Sequence, residues 1–337
     1  MQLRRLTGIT ASGTPHLGNY IGAFRPAIAH QSEGENLFFI ADYHSLIKLF
    51  DPKRRAEYID EIAATWLALG LDPIRTIFYR QSQVPEILEL TWILTTVAAK
   101  GLLNRAHAYK DQVAKNEADT VDPDLGITMG LFNYPILMAA DILAFNAHQV
   151  PVGRDQIQHI EIARDIAQRF NHLYGNLFVL PTAITPTTQS PILPGLDGRK
   201  MSKSYDNTIP LFLPPEALRK LIMKIKTNSQ APSEPKSTEG CTLFSIYQNF
   251  ASPEATERLR QCYLEGIGWG DVKSQVFEVV NTTLAEPRRY YDALMSDRAE
   301  IHRSLAIGAE KAREIAALTL QEAKCLVGIS KISAVIS

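Results

Sequence analysis

The sequence predicts an α/β protein: a parallel sheet whose strands alternate with helices, a helical insertion within it, and a smaller α-helical domain behind it. Two observations lead there. Across the first eighty residues, short apolar runs at 3–10, 37–41 and 76–79 are separated by amphipathic stretches, the order that places crossover helices between parallel strands. After Leu213 the apolar residues recur only at helical spacing. A chain of 337 residues is long enough to bury a sizeable core under such a sheet.

Taken in order, residues 3–10 read as the first strand, and Ala11-Ser12-Gly13-Thr14-Pro15 delivers it to a helix beginning near Gly18. The run 37–41 reads as a buried strand ended by Asp42-Tyr43-His44, and Pro52 opens a long amphipathic helix through Ala68. Residues 76–79 form the next strand. His16, Asp42, His44 and Gln81 therefore fall at or just past strand ends, where parallel sheets bind ligands. The stretch from about 85 to 147 is a helical insertion, broken by a polar segment, 110–124, expected as a surface loop. Residues 178–180 read as a returning strand. Helices are expected at 216–226, 254–265, 273–285 and 288–324, with the Ser-, Pro- and Lys-rich stretch 227–240 as a flexible connector. The domain boundary falls near Asn207, giving a first domain of 1–207 and a second of 208–337.

Composition sets limits. The formal net charge is −1, so any nucleic-acid site must be a local basic patch rather than a global field. Two arginines follow Met1-Gln2-Leu3, but no apolar h-region comes after them and no run reaches the roughly 20 apolar residues that span a bilayer. A soluble cytoplasmic protein without membrane attachment is expected. Cys241, Cys262 and Cys325 are far apart and form no CxxC or Cys/His cluster, so neither a disulfide framework nor a protein-bound metal is expected.

Two motifs carry the chemistry. His16-Leu17-Gly18-Asn19 places donors at a strand-to-helix turn, where backbone N–H groups favour anions. No GxGxxG follows this strand and no GxxxxGK[ST] occurs, so neither a dinucleotide fingerprint nor a P-loop is present. By itself the turn reads equally as a Gly-rich connection with a capping Asn. Far downstream, Asp197-Gly198-Arg199-Lys200-Met201-Ser202-Lys203-Ser204 sets two lysines in a loop of small residues, alone an ordinary solvated loop. Together the two motifs make a clamp for a triphosphate that works by charge stabilisation.

Asp141 is the one carboxylate in the apolar run from Ile136 to Phe145. Buried and ionised it needs a partner. That partner is either a group elsewhere in the fold or a donor-only N–H on a ligand. Gly153-Arg154-Asp155-Gln156 follows Val150-Pro151-Val152 as another strand-to-helix turn, with an Asp helix cap as its plain reading.

The pair of motifs, together with Gly18-Asn19-Tyr20-Ile21-Gly22-Ala23, the segment from Asn133 to Ile142 and Val150 to Gln156, resembles the class I aminoacyl-tRNA synthetases, and within them the bacterial tryptophanyl-tRNA synthetases. The similarity covers nearly the whole chain and is strongest from Leu6 to Asp206. It implies a Rossmann-like catalytic domain with a lysine loop at 195–206, and a C-terminal domain that reads the anticodon. The implied reaction joins L-tryptophan to tRNA(Trp) with ATP through a tryptophanyl-adenylate, releasing AMP and pyrophosphate, with Mg2+ held mainly by ATP.

By the same resemblance, His16, Asn19, Lys200 and Lys203 act in catalysis. ATP would lie against Thr10, Ala11, Ser12, Gly18, Gly153, Arg154, Asp155, Ile192, Met201, Ser202 and Ser204 as well. Asp141 would accept the indole N–H inside walls of Leu6, Gly8, Met138, Val150 and Val152, with His44, Tyr134 and Gln156 contacting the ammonium and carboxylate. A homodimer is implied. Thr10-Ala11 stands where many members have Gln-Pro, and Gln112 where a further lysine is expected, with Lys110 or Lys115 as substitutes. A tyrosine-specific relative and a catalytically silent RNA-binding copy are the alternatives.

Overall fold

The structure is a computed structural model and describes residues 3–185 and 193–330. Its five strands, β1 (Arg4–Thr10), β2 (Glu35–Ala41), β3 (Ile77–Arg80), β4 (Gln149–Pro151) and β5 (Thr182–Ile184), form one parallel sheet in the order β3-β2-β1-β4-β5. β1 and β2 pair along their full length, from Arg4 opposite Glu35 to Thr10 opposite Ala41. β1 and β4 share only the pairing of Arg5 with Gln149. The chain steps outward from β1 to β3 and then returns to β4, so its direction of travel reverses between β1 and β4. That is where open parallel sheets form a crevice beyond their carboxyl ends. β2 is buried along Asn36 to Ala41, as expected of a strand covered on both faces.

Local chemistry sets the helices. Pro52–Ala68 starts where proline allows, and Asp51 caps it by accepting from the N–H groups of Lys53 (2.9 Å) and Arg54 (3.1 Å). Its inner face packs Trp66 against Phe24 and Phe38, with ring centroids 4.6 and 5.1 Å away. The first helical stretch runs as Leu17–Asn19, a π-turn at Tyr20–Phe24, and Arg25–Ala29.

Several elements differ from the sequence expectation. Residues 178–180 form no strand, because side-chain amides take their backbone groups: Asn171 accepts from Phe178 N–H and donates to its carbonyl, and Asn146 accepts from Val179 N–H. The ladder forms four residues later, at Thr182–Ile184. The polar segment at 110–124 is half helical, since His107–Ala118 is rich in helix-forming Ala, Lys, Gln and Glu, and buried Asn116 ties off the turn behind it by donating to the carbonyls of Pro123 and Leu125. Thr242–Phe250 is an additional helix.

The expected break at Pro287 is absent: Trp269–Ser296 runs straight through it, and the next helix, Ala299–Leu326, begins after Asp297 and Arg298. The connector at 227–240 has no regular structure, but it is pinned. Lys236 is 2% exposed and its ammonium donates to the carbonyls of Ala231, Pro232 and Glu234.

Three apolar clusters hold these parts together. One joins the sheet to the insertion and to the last helix, one packs the Pro52–Ala68 helix on β2 and β3, and the third joins Leu17 and Ile21 to the helices after residue 213. The last helix does not stay with its neighbours in sequence but lies against β3. Gly308 makes this approach possible, since a Cβ there would stand 1.8 Å from the Phe78 carbonyl oxygen. Gly308→Ala is expected to push the helix off the strand and cost about 1–3 kcal/mol. Thermal unfolding checks it against Gly270→Ala, which meets nothing within 4 Å and should leave the melting temperature level or raise it.

Candidate functional site

The two charged motifs, separated by some 180 residues in sequence, meet beyond the carboxyl end of β1. Leu17 N–H donates to the Ile209 carbonyl (3.0 Å) and Leu211 N–H to the Pro15 carbonyl (2.9 Å), stitching the segment after the lysine loop to the start of the first helix. A Cβ on Gly18 would lie 3.5 Å from Met201 Cβ, so the two backbones approach closely. His16 is itself the helix cap: its Nδ1 accepts from Asn19 N–H (3.3 Å) and its own N–H donates to Asn19 Oδ1 (3.2 Å). His16 is 6% exposed, and burial, with Lys203 as a second cause, lowers the pKa of its imidazole to about 4. It is neutral near pH 7, with Nδ1 accepting and the proton on Nε2 available as a donor.

Lys203 is an exposed residue by area, but its Cδ, Cε and Nζ lie within 3.1 Å of where a Gly13 Cβ would stand. Only glycine fits, because φ there is also +143°. Crowding desolvates the ammonium and lowers its pKa to about 8, with Glu61 opposing the shift. Lys200 is exposed on the same loop.

The loop owes its shape to Asn207, which is 2% exposed. Its side chain accepts from Ser202 N–H (2.8 Å) and donates to Asp197 (2.7 Å) and to the Lys200 carbonyl (3.1 Å). Hydrogen bonds from Asn207 and then Arg199 hold the Asp197 carboxyl down at about 2. Ser202 accepts from Ser204 N–H, and Arg199 stacks over Tyr205 at 4.4 Å.

On the same side of the sheet, Asp141 is 1% exposed on the Met129–Leu143 helix. Its partners lie in the fold: His44 Nε2 is 2.8 Å from Oδ2, and Gln81 Nε2 donates to Oδ1 at 2.7 Å. Burial raises the carboxyl's pKa, while these two hydrogen bonds and the His44 charge act to lower it. Each carboxylate oxygen keeps a further lone pair for a ligand N–H. Gln81 in turn accepts from Tyr43 N–H (3.0 Å), and Asp42 fixes the β3 end by accepting from Ser82 N–H (3.0 Å) and Ser82 Oγ (2.5 Å). Leu6, Met138, Val150 and Val152 pack in the cluster that includes this helix. Gly8 is exposed on β1, and a Cβ there would stand 2.4 Å from the Phe39 ring. Thr10 is exposed on the same face, whereas Ala11 is buried and Ser12 exposed.

Tyr134 sits one helical turn from Met138, its hydroxyl 2.5 Å from His159 Nε2 and its ring edge-on to His44 at 6.4 Å. At the turn after β4, Asp155 caps no helix: its carboxylate accepts from Gln156 Nε2 (2.8 Å), and Gly153 and Arg154 are exposed beside it. Ile192 lies outside the described residues. Sequence reasoning left Gln81 at a strand end without a role and missed His159, Asn207 and Glu61, none of which stands in a motif. Among the described residues no cluster of three His, Cys, Asp or Glu side chains could hold a metal ion, and no helix is long and apolar enough to cross a membrane.

Comparison with known proteins fits this geometry. The profile of the tRNA synthetases class I (W and Y) matches residues 1–285. The chain belongs to that family. Among its relatives, tryptophan–tRNA ligase of Xanthomonas axonopodis pv. citri is 57% identical over 337 residues, covering 99% of this chain and 78% of the relative. The Pseudomonas putida ligase of the same name is 56% identical over 334 residues, 98% of this chain and 74% of the relative. Tryptophanyl-tRNA synthetase from Campylobacter jejuni, solved with ADP and tryptophan, superposes with a TM-score of 0.89 at 41% identity, covering 97% of this chain and all of that one. Tyrosyl-tRNA synthetase from Archaeoglobus fulgidus shares the fold, with a TM-score of 0.63 at 21% identity over 86% of this chain and 90% of that one. The family's α/β sheet with long C-terminal helices is the architecture described above.

Proposed function

We propose that the protein joins L-tryptophan to tRNA(Trp) in two steps, activation by ATP to tryptophanyl-adenylate and transfer to the terminal adenosine. The observation that carries this reading is a pair of arrangements beyond the carboxyl ends of the strands: a lysine loop folded against the His16–Asn19 turn after β1, and a buried carboxyl, Asp141, held by His44 and Gln81 after β2 and β3. High identity to named tryptophan–tRNA ligases supports tryptophan over tyrosine.

In the first step the tryptophan carboxylate attacks the α-phosphorus of ATP in line and pyrophosphate leaves. The protein supplies position and charge rather than covalent chemistry. Neutral His16 donates through Nε2–H to phosphate oxygen, with Asn19 beside it, and Lys200 and Lys203 stabilise the charge that builds on pyrophosphate. Thr10, Ser12, Gly18, Gly153, Arg154, Asp155, Met201, Ser202 and Ser204 line the nucleotide. Asp141 accepts the indole N–H, with Leu6, Gly8, Met138, Val150 and Val152 around the ring and Tyr134, His44 and Gln156 toward the amino-acid backbone.

Mg2+ would be held mainly by the nucleotide's own phosphates, since the side chains here donate to phosphate rather than ligate a metal. Residues 1–207 form the catalytic domain and 208–337 the part that reads the anticodon. A homodimer joins through the insertion, where Leu88, Trp92, Leu125 and Met129 expose 41 to 71% of their surface.

ATP–pyrophosphate exchange with Mg2+ and tryptophan, tyrosine, phenylalanine or no amino acid tests the reading. Exchange is expected with tryptophan alone. Exchange with tyrosine would overturn the Asp141 assignment, and no exchange at all would favour a silent RNA-binding copy.

A further inference from the structure

His159 is a buried histidine to which the activation step above assigns no role. It lies in the first turn of the Ile157–Tyr174 helix, directly after the Gly153–Gln156 turn, and is 4% exposed. Its Nε2 meets the Tyr134 hydroxyl at 2.5 Å, while its Nδ1 is buried without a hydrogen-bond partner. Burial lowers its pKa, with His107 and His44 acting in the same direction and Asp155 against, so the ring is neutral near pH 7. Burial, and then Asp111, raises the Tyr134 hydroxyl to about 12, so it keeps its proton.

Between a neutral imidazole and a phenol, the strong arrangement is O–H···N. The phenol is the more acidic donor and the imidazole nitrogen the more basic acceptor. In that arrangement the hydroxyl proton points at His159 and the oxygen's lone pairs face away from it. A hydroxyl free to rotate would offer either its proton or its lone pairs to a ligand. This one offers only lone pairs.

We propose that His159 is a positioning residue that turns the Tyr134 hydroxyl into a dedicated acceptor for the α-ammonium of the amino-acid substrate. The inference rests on the proposed placement of Tyr134 toward the backbone of the tryptophan substrate, whose ammonium is the group there that a lone-pair acceptor suits. The tautomer it requires puts a proton on Nδ1, leaving a buried donor unsatisfied at a cost of about 1–3 kcal/mol that an apolar residue would avoid. A string of polar groups then crosses the pocket. Asp141 meets His44, the His44 ring stands edge-on to Tyr134, and Tyr134 meets His159.

The test is steady-state exchange kinetics on His159→Leu, His159→Gln, Tyr134→Phe and the double variant Tyr134→Phe/His159→Leu, with competition by indole-3-propionate, which lacks the ammonium. His159→Leu is expected to raise the tryptophan KM about 10-fold, the scale of one hydrogen bond to a charged group, and to leave kcat and the ATP KM within about threefold. His159→Gln, whose amide oxygen can take the place of Nε2, should restore most of the loss. The double variant should be no worse than Tyr134→Phe, and indole-3-propionate should bind all four alike. If leucine does not fold, His159→Phe replaces it. A loss shared by indole-3-propionate, or one that adds to that of Tyr134→Phe, would overturn the positioning role alone. An unchanged tryptophan KM in Tyr134→Phe would overturn the tyrosine assignment and this inference with it, whereas exchange with tryptophan alone tests the substrate reading separately.

Discussion

Lys203→Ala is expected to lower kcat for adenylate formation by about 10²–10³, the usual loss when one preorganised donor to developing charge is removed. The loss should fall on kcat rather than on the tryptophan KM, because the lysine faces the phosphates, where charge builds as pyrophosphate departs, and not the amino acid. A second signature comes from pH. In the free enzyme the Lys203 pKa lies at about 8, so its cation is present below that value and disappears as pH rises through it. The profile of kcat/KM for ATP, which reports the free enzyme, should therefore fall above about pH 8. Bound triphosphate restores the cation, so the kcat profile should extend to higher pH. Lys203→Arg keeps the charge throughout and should lose the alkaline limb. An identical limb in that variant would show that another group titrates there.

Asp141→Ala is expected to cut kcat/KM for tryptophan by about 10²-fold, with the loss in discrimination against phenylalanine of the same size. One hydrogen bond from the indole N–H to a charged acceptor corresponds to ~1.5–3 kcal/mol, and sites built around a buried polar contact discriminate most strongly against ligands that lack it. The substitution also strands His44 and Gln81, whose side chains meet the two carboxylate oxygens at 2.8 and 2.7 Å. Stability is expected to drop as well, by about 1–3 kcal/mol for each buried group left unpaired. Asp141→Asn separates the two effects. It keeps shape and much of the network while removing the charge, so a variant with near-native unfolding but weakened tryptophan selectivity supports the acceptor role. Equal losses for tryptophan and phenylalanine would reduce Asp141 to a structural residue.

Where one local rule decided the outcome, the sequence was readable. Pro52 behind Asp51 starts a helix at the expected residue, and the apolar run of β2 is a covered strand. The charged motifs were visible because phosphate chemistry needs particular residue types, and the fold brings them together at Gly13 and Gly18. What was illegible depended on distant partners. Residues 178–180 have the composition of a strand, yet Asn171 and Asn146 claim their backbone. Pro287 signalled a break that the surrounding helix overrides. Asp141 announced its need for a partner without naming His44 or Gln81, which lie 97 and 60 residues away. Asn207 could not be recognised, because its role is to hold backbone groups of a loop rather than to touch a ligand.

The burial of Leu17 and Ile21 against Leu218, Val272 and Val280 has a consequence for biosynthesis. The first apolar helix leaves the ribosome roughly 250 residues ahead of the last side chains that cover it. At ~5–20 residues per second the nascent chain carries that face uncovered for on the order of ten to fifty seconds. β1 waits likewise for β4, so one edge of the central strand stays open until the whole insertion has been made. The same long-range closure that brings the two motifs together leaves the unfinished chain with an uncovered apolar face and an open strand edge, the features that make nascent chains prone to aggregate.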